Sequence, residues 1–455
     1  MKTSRCFLIL FFLFLGISSF SETDANFGKK DLDEKTRIRI ELMEQEVQIL
    51  RKENERLKKD LKQYQLQDMA LDFQKEVSRI RNLEIKEPLR SKFLTKDDVR
   101  NYVLREIDRQ YPGDTLHDYE NVLARLGFIP HGTDIKKMII SLYTEQAAGF
   151  YDDATKWFYV VEEFDLNQTI TGVIISHEIC HVLQDQNFNI DSMNLYKRNN
   201  DDEIYAILSV LEGDATILMT EWLKENFEFK SVFQVLSSLG MDQTAYNEAP
   251  YFLQQLLVFP YIHGSMFLME VMAQNGVEGR DIPFRNLPRS TEQILHPEKY
   301  LSLIDDPTTV SLPGAVQFGK AWEKKYENSI GEIGFKLLFE QYMTPNDALE
   351  AAAGWDGDRY ALYKDENEKF MILWDSVWDS DHDANEATKA FLNLVDKRYP
   401  TGKGTTKNEM QHAWKLPRED GNGVSRIFFK RDGNRLRLGM ASDNAIAARA
   451  QDLPF

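Results

Sequence analysis

His177 and His181 stand four residues apart with Glu178 beside the first of them, giving the pattern His-Glu-x-x-His inside an apolar stretch. On a helix, residues at i and i+4 project from one face, so the two imidazoles can bind one Zn2+ together. Glu178 lies roughly 100° around the helix, which places it to take a proton from an attacking water and not to ligate the metal. Ile170, Val173, Ile174, Val182 and Leu183 surround the pattern. Two histidines and a glutamate in so apolar a helix are costly unless something satisfies them, and metal coordination would. Cys180 points away from the ligand face and reads as a small buried hydrophobe.

A catalytic zinc needs a third protein ligand and an open position. Glu212, in Leu211-Glu212-Gly213-Asp214-Ala215, lies on a helix otherwise apolar through Ile204, Ile207, Leu208, Leu211 and Leu218, and is assigned as that ligand. Asp214 is expected behind the ligands, orienting one of the imidazoles. Asp185, one turn further along the helix of the two histidines, is the competing ligand. For stabilising the oxyanion of a tetrahedral intermediate, the segment Arg289 to Tyr300 offers His296 first, with Arg289 and Tyr300 beside it. His263 sits in an apolar helical run and reads as a core residue. Asp379, Asp381, Asp383 and Asn385 imitate the start of a calcium loop, but Ala384 stands where that loop needs Gly and Ala390 where it needs Glu, so these acids are read as caps of the following helix. Asp358 and Arg359 read as a local structural pair.

Positioning these residues requires several helices and a little sheet. Helical patterns run over Lys96 to Tyr111, Asp114 to Leu126, Asp134 to Glu145, Thr169 to Asn187, Asp201 to Glu225 and Tyr251 to Gln274. A hairpin is expected where Ala148 to Tyr151 and Lys156 to Val161 flank a turn, and another around Asp432-Gly433-Asn434. The C-terminal third adds helices at Ile330 to Met343 and Ala384 to Arg398 and strands at Arg359 to Tyr363 and Phe370 to Trp374. Ahead of all this, Ile40, Met43, Val47, Leu50, Asn54, Leu57, Leu61 and Tyr64 repeat at heptad spacing, with Asn54 at an a position, where a buried amide fixes register and favours two strands. A coiled coil over 35–80 is expected, either as a parallel homodimer or as a single amphipathic helix lying along the main domain. The fold class is α+β, mainly helical, with the main domain over 91–400 and a C-terminal β-hairpin and tail over 401–455.

With 455 residues and 42% apolar composition the chain supports a large core and more than one structural unit. Lys2 and Arg5, the apolar run Cys6 to Ile17 and the small residues Ser18, Ser19 and Ser21 read as a secretory signal peptide over 1–21. The run is short of the roughly 20 residues that span a bilayer, so cleavage is favoured over a retained anchor. The protein is therefore expected to be secreted or periplasmic, with no integral membrane span after cleavage. Cys180 is then the one cysteine remaining, which excludes an internal disulfide. A net charge of -18 argues against nucleic acid and anionic membranes as partners.

Five motifs occurring in order, EQAAGFY (Glu145 to Tyr151), HEICHVLQDQNF (His177 to Phe188), LEGDAT (Leu211 to Thr216), STEQILHPEKY (Ser290 to Tyr300) and AAAGWDGDRY (Ala351 to Tyr360), resemble a bacterial family of HExxH proteins related to gluzincin metallopeptidases. The resemblance covers roughly Thr133 to Val395. It implies a zincin-like fold: a sheet whose edge strand lines the cleft, the HExxH helix beneath it, and a helical lower half supplying the glutamate ligand, with Lys156 to Val161 as the candidate edge. An edge strand there would bind an extended peptide by strand addition. The function so implied is a zinc-dependent endopeptidase acting on protein or peptide, with Glu178 as general base. A catalytically silent, zinc-stabilised scaffold acting through its coiled coil, and a zinc amidase on cell-wall amides, stay open.

Overall fold

A helix of 48 residues, α1 (Glu34–Arg81), opens the fold. Its first turn is capped by Asp33, whose carboxylate accepts the Thr36 N–H at 2.9 Å, and it stops at Asn82 in the left-handed region (φ 57°). The computed structural model describes residues 33–146, 148–162, 169–195, 198–226, 244–400, 402–408, 411–416 and 423–455. The expected signal segment at 1–21 lies outside them.

After α1 the chain forms β1 (Arg90–Leu94), α2 (Lys96–Gln110), α3 (Thr115–Leu126) and α4 (Ile135–Gln146). Thr95 and Asp98 start α2 with a reciprocal capping box, and Gly127 ends α3 in the left-handed region at φ 102°. The hairpin of β2 (Gly149–Asp152) and β3 (Trp157–Val161) then leads into α5 (Thr169–Phe188), α6 (Asp201–Asn226) and α7 (Tyr251–Asn275). A short helix, α8 (Thr291–Leu295), precedes the C-terminal part: β4 (Glu323–Asn328), α9 (Gly331–Glu340), α10 (Pro345–Ala352), β5 (Trp355–Lys364), β6 (Phe370–Trp378), α11 (Asp381–Arg398), β7 (Lys403–Asn408), β8 (Gln411–Lys415), β9 (Arg426–Asp432), β10 (Arg435–Ala441) and α12 (Asn444–Asp452). The class is α+β and mainly helical.

The strands form two sheets. In the smaller one the order is β1-β3-β2, with β1 parallel and β2 antiparallel to β3. This corrects the expectation that Lys156 to Val161 forms an edge. The five-residue strand β1, which no sequence pattern announced, pairs with β3 on its other side and leaves β2 as the edge next to α5. The larger sheet is antiparallel with the order β4-β5-β6-β10-β9-β8-β7. The boundary expected after residue 400 therefore falls inside a continuous sheet, and 401–455 is no detached hairpin and tail: β10 pairs with β6 along its whole length, from Arg435 opposite Val377 to Ala441 opposite Met371.

The main core joins α2, α3, α6, α7 and α9 to one face of the larger sheet. A second core packs Leu66, Ala70 and Val77 of α1 against Ile175, Ile179 and Leu183 of α5 and Phe158 and Val160 of β3. The last turns of α1 thus belong to the main body, so 35–80 is not one coiled-coil unit. Residues Met43, Val47, Leu50, Leu57, Leu61 and Tyr64 of the heptad seam are 45–71% exposed. Among the described residues one helix, α7, is long and apolar enough to cross a membrane by length and composition. Phe252, Leu256, Phe259, Phe267, Leu268 and Val271 on it are buried in the body.

Helices α6 and α7 approach closely at two glycines. A Cβ at Gly213 would lie 2.3 Å from the Gly264 carbonyl carbon, and one at Gly264 would lie 2.0 Å from the Ser209 carbonyl oxygen. Only residues without a side chain fit at that crossing. The crossing brings Glu212 of α6 beside Tyr261 of α7.

Candidate metal centre

Three side chains from two helices converge. His177 and His181 project from α5 and Glu212 from α6, and their ligand-capable atoms all lie within 4.8 Å of one another. His177 Nε2 is 3.1 Å from Glu212 Oε2, His181 Nε2 is 3.1 Å from His177 Nε2, and His181 Nε2 is 3.5 Å from Glu212 Oε2. A tetrahedral zinc with bonds of about 2.0–2.1 Å sets its ligand atoms about 3.3 Å apart, so this triangle has the size the ion requires. Two imidazole nitrogens and a carboxylate oxygen are also the donor types that zinc takes. The four residues of the centre are enclosed: His177 is 1% exposed, Glu178 0%, His181 0% and Glu212 4%.

Glu178 shares the enclosure without joining the triangle. Its Oε2 accepts the backbone N–H of Tyr151, on the edge strand β2, at 3.1 Å, and its Oε1 has no hydrogen-bond partner although buried. A buried carboxyl oxygen left open is unfavourable unless water or a ligand satisfies it. Burial pushes the Glu178 carboxyl up to about 8 in the metal-free protein, with the positive charge of His181 opposing the shift.

The ligands titrate in opposite directions. Burial drives His177 down to about 4 despite its contact with Glu212. For His181, burial works against the charged ring, but the Glu212 carboxylate outweighs it and raises the imidazole above its ordinary value. Glu212 is likewise pushed up by burial and drawn further down by His181 and by hydrogen bonds from both rings, so its carboxylate stays ionised. An ionised carboxylate is what a cation at this point needs.

Behind the ligands a polar chain fixes one tautomer. His181 Nδ1 donates to the Gln184 amide oxygen at 2.8 Å, which leaves Nε2 as the nitrogen facing the triangle, where a bound metal would replace its proton. The Gln184 amide nitrogen donates to Asp214 Oδ2 at 2.7 Å and to the Leu211 carbonyl at 3.0 Å. Asp214 stands behind the two imidazoles and reaches His181 through Gln184. Its Oδ1 accepts from Arg81 Nε at 2.7 Å and from Arg280 Nε, while Cys180 Sγ lies 3.5 Å from Oδ2. Burial opposes ionisation of Asp214, but the Arg280 and Arg81 guanidiniums hold it below the usual carboxylate range. Cys180 is buried and its thiol is pushed well up, which suits a packed hydrophobe and not a ligand.

Asp185 does not join the metal triangle. Its Oδ2 accepts the Tyr151 hydroxyl at 2.7 Å and the Lys156 ammonium, and its Oδ1 accepts the Ile190 N–H at 3.2 Å. Tyr151 and Lys156 both belong to the β2–β3 hairpin, so Asp185 clamps the edge strand onto α5. His296 is not brought to the centre either. Its Nε2 is 2.9 Å from Glu332 Oε1, and Thr291, at the start of the short helix that ends before His296, is anchored to Asp202, ten residues and so about 15 Å along α6 from Glu212. Nor do the alternatives reach it: Arg289 pairs with Asp306 at 2.9 Å, Tyr300 donates to the Asn286 carbonyl at 2.6 Å, and His263 stacks on Phe259. Asp383 takes the Ser380 hydroxyl at the start of α11, while Asp358 and Arg359 do not bond to each other. Asp358 instead accepts the Gly331 N–H at 3.0 Å at the start of α9, and Arg359 pairs with Glu327.

The residue overlooked in the sequence is Tyr261. Its ring stacks on His177 with centroids 6.0 Å apart, and its phenol hydrogen-bonds Glu212. Burial, reinforced by Glu212 and Glu178, raises the phenol well above its ordinary value, so it remains a donor. The one sequence signal for it is glycine: Gly213 next to Glu212 and Gly264 one turn from Tyr261.

Comparison with known proteins adds one match. A family model described as a domain of unknown function, DUF8575, matches residues 320–450, which span the larger sheet and its helices and contain none of the residues of the metal triangle. No curated protein and no solved structure matches the chain.

Proposed function

We propose that this chain is a zinc-dependent hydrolase of zincin-like arrangement that cleaves peptide bonds, with His177, His181 and Glu212 holding the metal and Glu178 moving the proton. The observation that carries the reading is the triangle of three ligand atoms at 3.1, 3.1 and 3.5 Å beside a buried, unsatisfied Glu178 Oε1. Zinc held there would supply Lewis acidity, lowering the pKa of a water toward neutrality and polarising a carbonyl oxygen.

The chain's own groups do the rest. Glu178 receives the proton of the attacking water on Oε1, because Oε2 is tied to the Tyr151 N–H, and passes it to the leaving amine. A carboxyl raised toward neutrality suits both transfers. Tyr261, protonated and beside Glu212, replaces His296 as the donor to negative charge developing on the substrate oxygen. Gln184 holds the His181 ring in the tautomer that ligates. The preference for peptides rests on β2: this edge strand passes Glu178 with the Tyr151 N–H turned toward it, so a backbone laid along the edge would cross the centre. Since the centre is enclosed, a peptide enters only when the residues covering it move aside. The proposal includes export to the cell exterior or periplasm, on the strength of the apolar run Cys6 to Ile17.

The test is cleavage of an unstructured protein and of a peptide library by the purified full chain. The wild type is expected to cleave, and Glu178→Gln to lose cleavage while keeping its metal. A scaffold would leave both proteins inactive, and a cell-wall amidase would cleave only non-protein amides; either result overturns the peptidase reading.

A further inference from the structure

The first 28 residues of α1, Glu34 to Leu61, precede its packing against the body. Contacts with the body begin at Lys62, which donates to the Glu162 carbonyl at 2.6 Å, and Gln63, which donates to the Ser91 carbonyl at 2.8 Å. Most of a helix's stability in a protein comes from packing its apolar face, and one with a solvated apolar stripe gains by covering it.

We propose that this segment pairs in parallel and in register with the same segment of a second copy, forming a two-stranded coiled coil over Ile40 to Tyr64, about 36 Å long. The argument is charge complementarity. With Ile40, Val47, Asn54 and Leu61 at a and Met43, Leu50, Leu57 and Tyr64 at d, the g positions are Arg39, Glu46, Glu53 and Asp60, and the e positions are Glu44, Arg51, Lys58 and Gln65. In a parallel pair each g residue meets the e residue five positions on in the other helix. The meetings are Arg39 with Glu44, Glu46 with Arg51 and Glu53 with Lys58, all attractive, and Asp60 with the uncharged Gln65. No like charges meet. In the single chain Glu53 and Lys58 make only exposed contacts with Arg56 and Glu55, which cost little to exchange.

The seam and the body use different sides of the helix. The buried residues Leu66, Ala70, Gln74, Val77 and Arg81 lie close to opposite the a and d positions, so a second helix can dock without meeting the body. The seam also stops where burial starts, because the next two a positions are the exposed Asp68 and Lys75. Asn54 at a favours two strands over three. The dimer carries its two metal centres at one end of the coil, each body on the outer side.

Sedimentation equilibrium on the full chain at micromolar concentration tests this. The wild type is expected at twice the chain mass. Glu46→Lys with Glu53→Lys, and separately Arg51→Glu with Lys58→Glu, place like charges opposite one another and are each expected to weaken pairing by about tenfold or more. Mixing the two doubly substituted proteins restores attraction on both sides and is expected to recover a heterodimer. Circular dichroism guards against unfolding in every variant. Leu57→Cys, oxidised with glutathione, is expected to give a bond between residues 57 of two chains, which an antiparallel pair does not permit. A monomeric or trimeric wild type, indifference to the charge reversals, or failure of the residue 57 bond would overturn the proposal.

Discussion

Arg81, the last residue of α1, donates from Nε to Asp214 at 2.7 Å across 133 positions of sequence, with the two side chains 4% and 0% exposed. This ion pair joins the long N-terminal helix to the polar chain through Gln184 that ends on His181. Removing Arg81 leaves buried Asp214 to Arg280 and Gln184 and takes a partner from Asp281, so the cost stays below the roughly 3–5 kcal/mol of a buried charge left wholly uncompensated. Arg81→Met is therefore expected to lower the denaturant midpoint and to loosen metal binding, read by titration against a competing chelator. Arg79→Met, which removes an exposed contact with Glu225, is expected to leave both unchanged. Equal behaviour of the two variants would separate α1 from the metal centre.

Glu178 sets a pH dependence for the metal-free protein. Its carboxyl is raised from an ordinary 4.5 to about 8 by burial, so the folded state holds the proton more tightly than the unfolded state. That contribution is complete below about 4.5 and is lost progressively as pH rises to about 8. Other buried acids, Asp202 among them, shift the same way, so the informative quantity is the difference between wild type and Glu178→Gln. In chelator-treated protein that difference is expected to move in favour of Glu178→Gln as pH rises between those values. A flat difference contradicts the enclosed, unsatisfied carboxyl.

The clustering of His177, His181 and Glu212 was legible in the sequence because its parts are local signals: a four-residue spacing on one helix, and a carboxylate on the apolar face of the next. What chain pattern could not supply was the choice among groups that only tertiary packing brings together. Asp185 and Glu212 were both candidates, and the β2–β3 hairpin engages Asp185 through Tyr151 and Lys156, while Glu212 lies beside the two imidazoles. The hairpin itself was readable, but its edge was not. The strand order turns on β1, where Arg90 and Lys92 interrupt the apolar pattern within five residues. Arg81 and Arg280 carried no signal, being single basic residues far from Asp214 in sequence. The boundary after residue 400 failed for a related reason: β7, Lys403–Asn408, is a short polar edge strand without apolar alternation, so the continuity of the sheet beyond α11 was invisible.

Tyr261 is the donor proposed from its place beside Glu212, where the sequence pointed to His296. Tyr261→Phe is expected to lower kcat by roughly a hundredfold with metal content unchanged, as loss of one donor to a developing oxyanion does. His296→Gln removes a partner of buried Glu332, so it is expected to cost stability while leaving kcat within a few-fold of wild type. Steady-state kinetics on both, below the unfolding temperature of the weaker, decides. The reverse ranking would return His296 to the centre.

Gly264 is where α6 and α7 touch. Gly264→Ala places a Cβ against backbone, at 2.0 Å from the Ser209 oxygen, so the helices must separate. The expected loss is about 1–3 kcal/mol or more, with weakened metal binding because Glu212 moves relative to Tyr261. Gly314→Ala meets nothing nearer than 4.0 Å and serves as the control. Calorimetry of the two proteins, with and without added zinc, reads both effects.

The central claim is that His177, His181 and Glu212 together hold one zinc ion. Elemental analysis of chelator-free protein purified in parallel as wild type, Glu178→Gln and Glu212→Gln addresses it directly. The account predicts close to one zinc per chain in the first two and little in the third. A wild type without zinc, or a Glu212→Gln protein that retains it fully, would contradict the account.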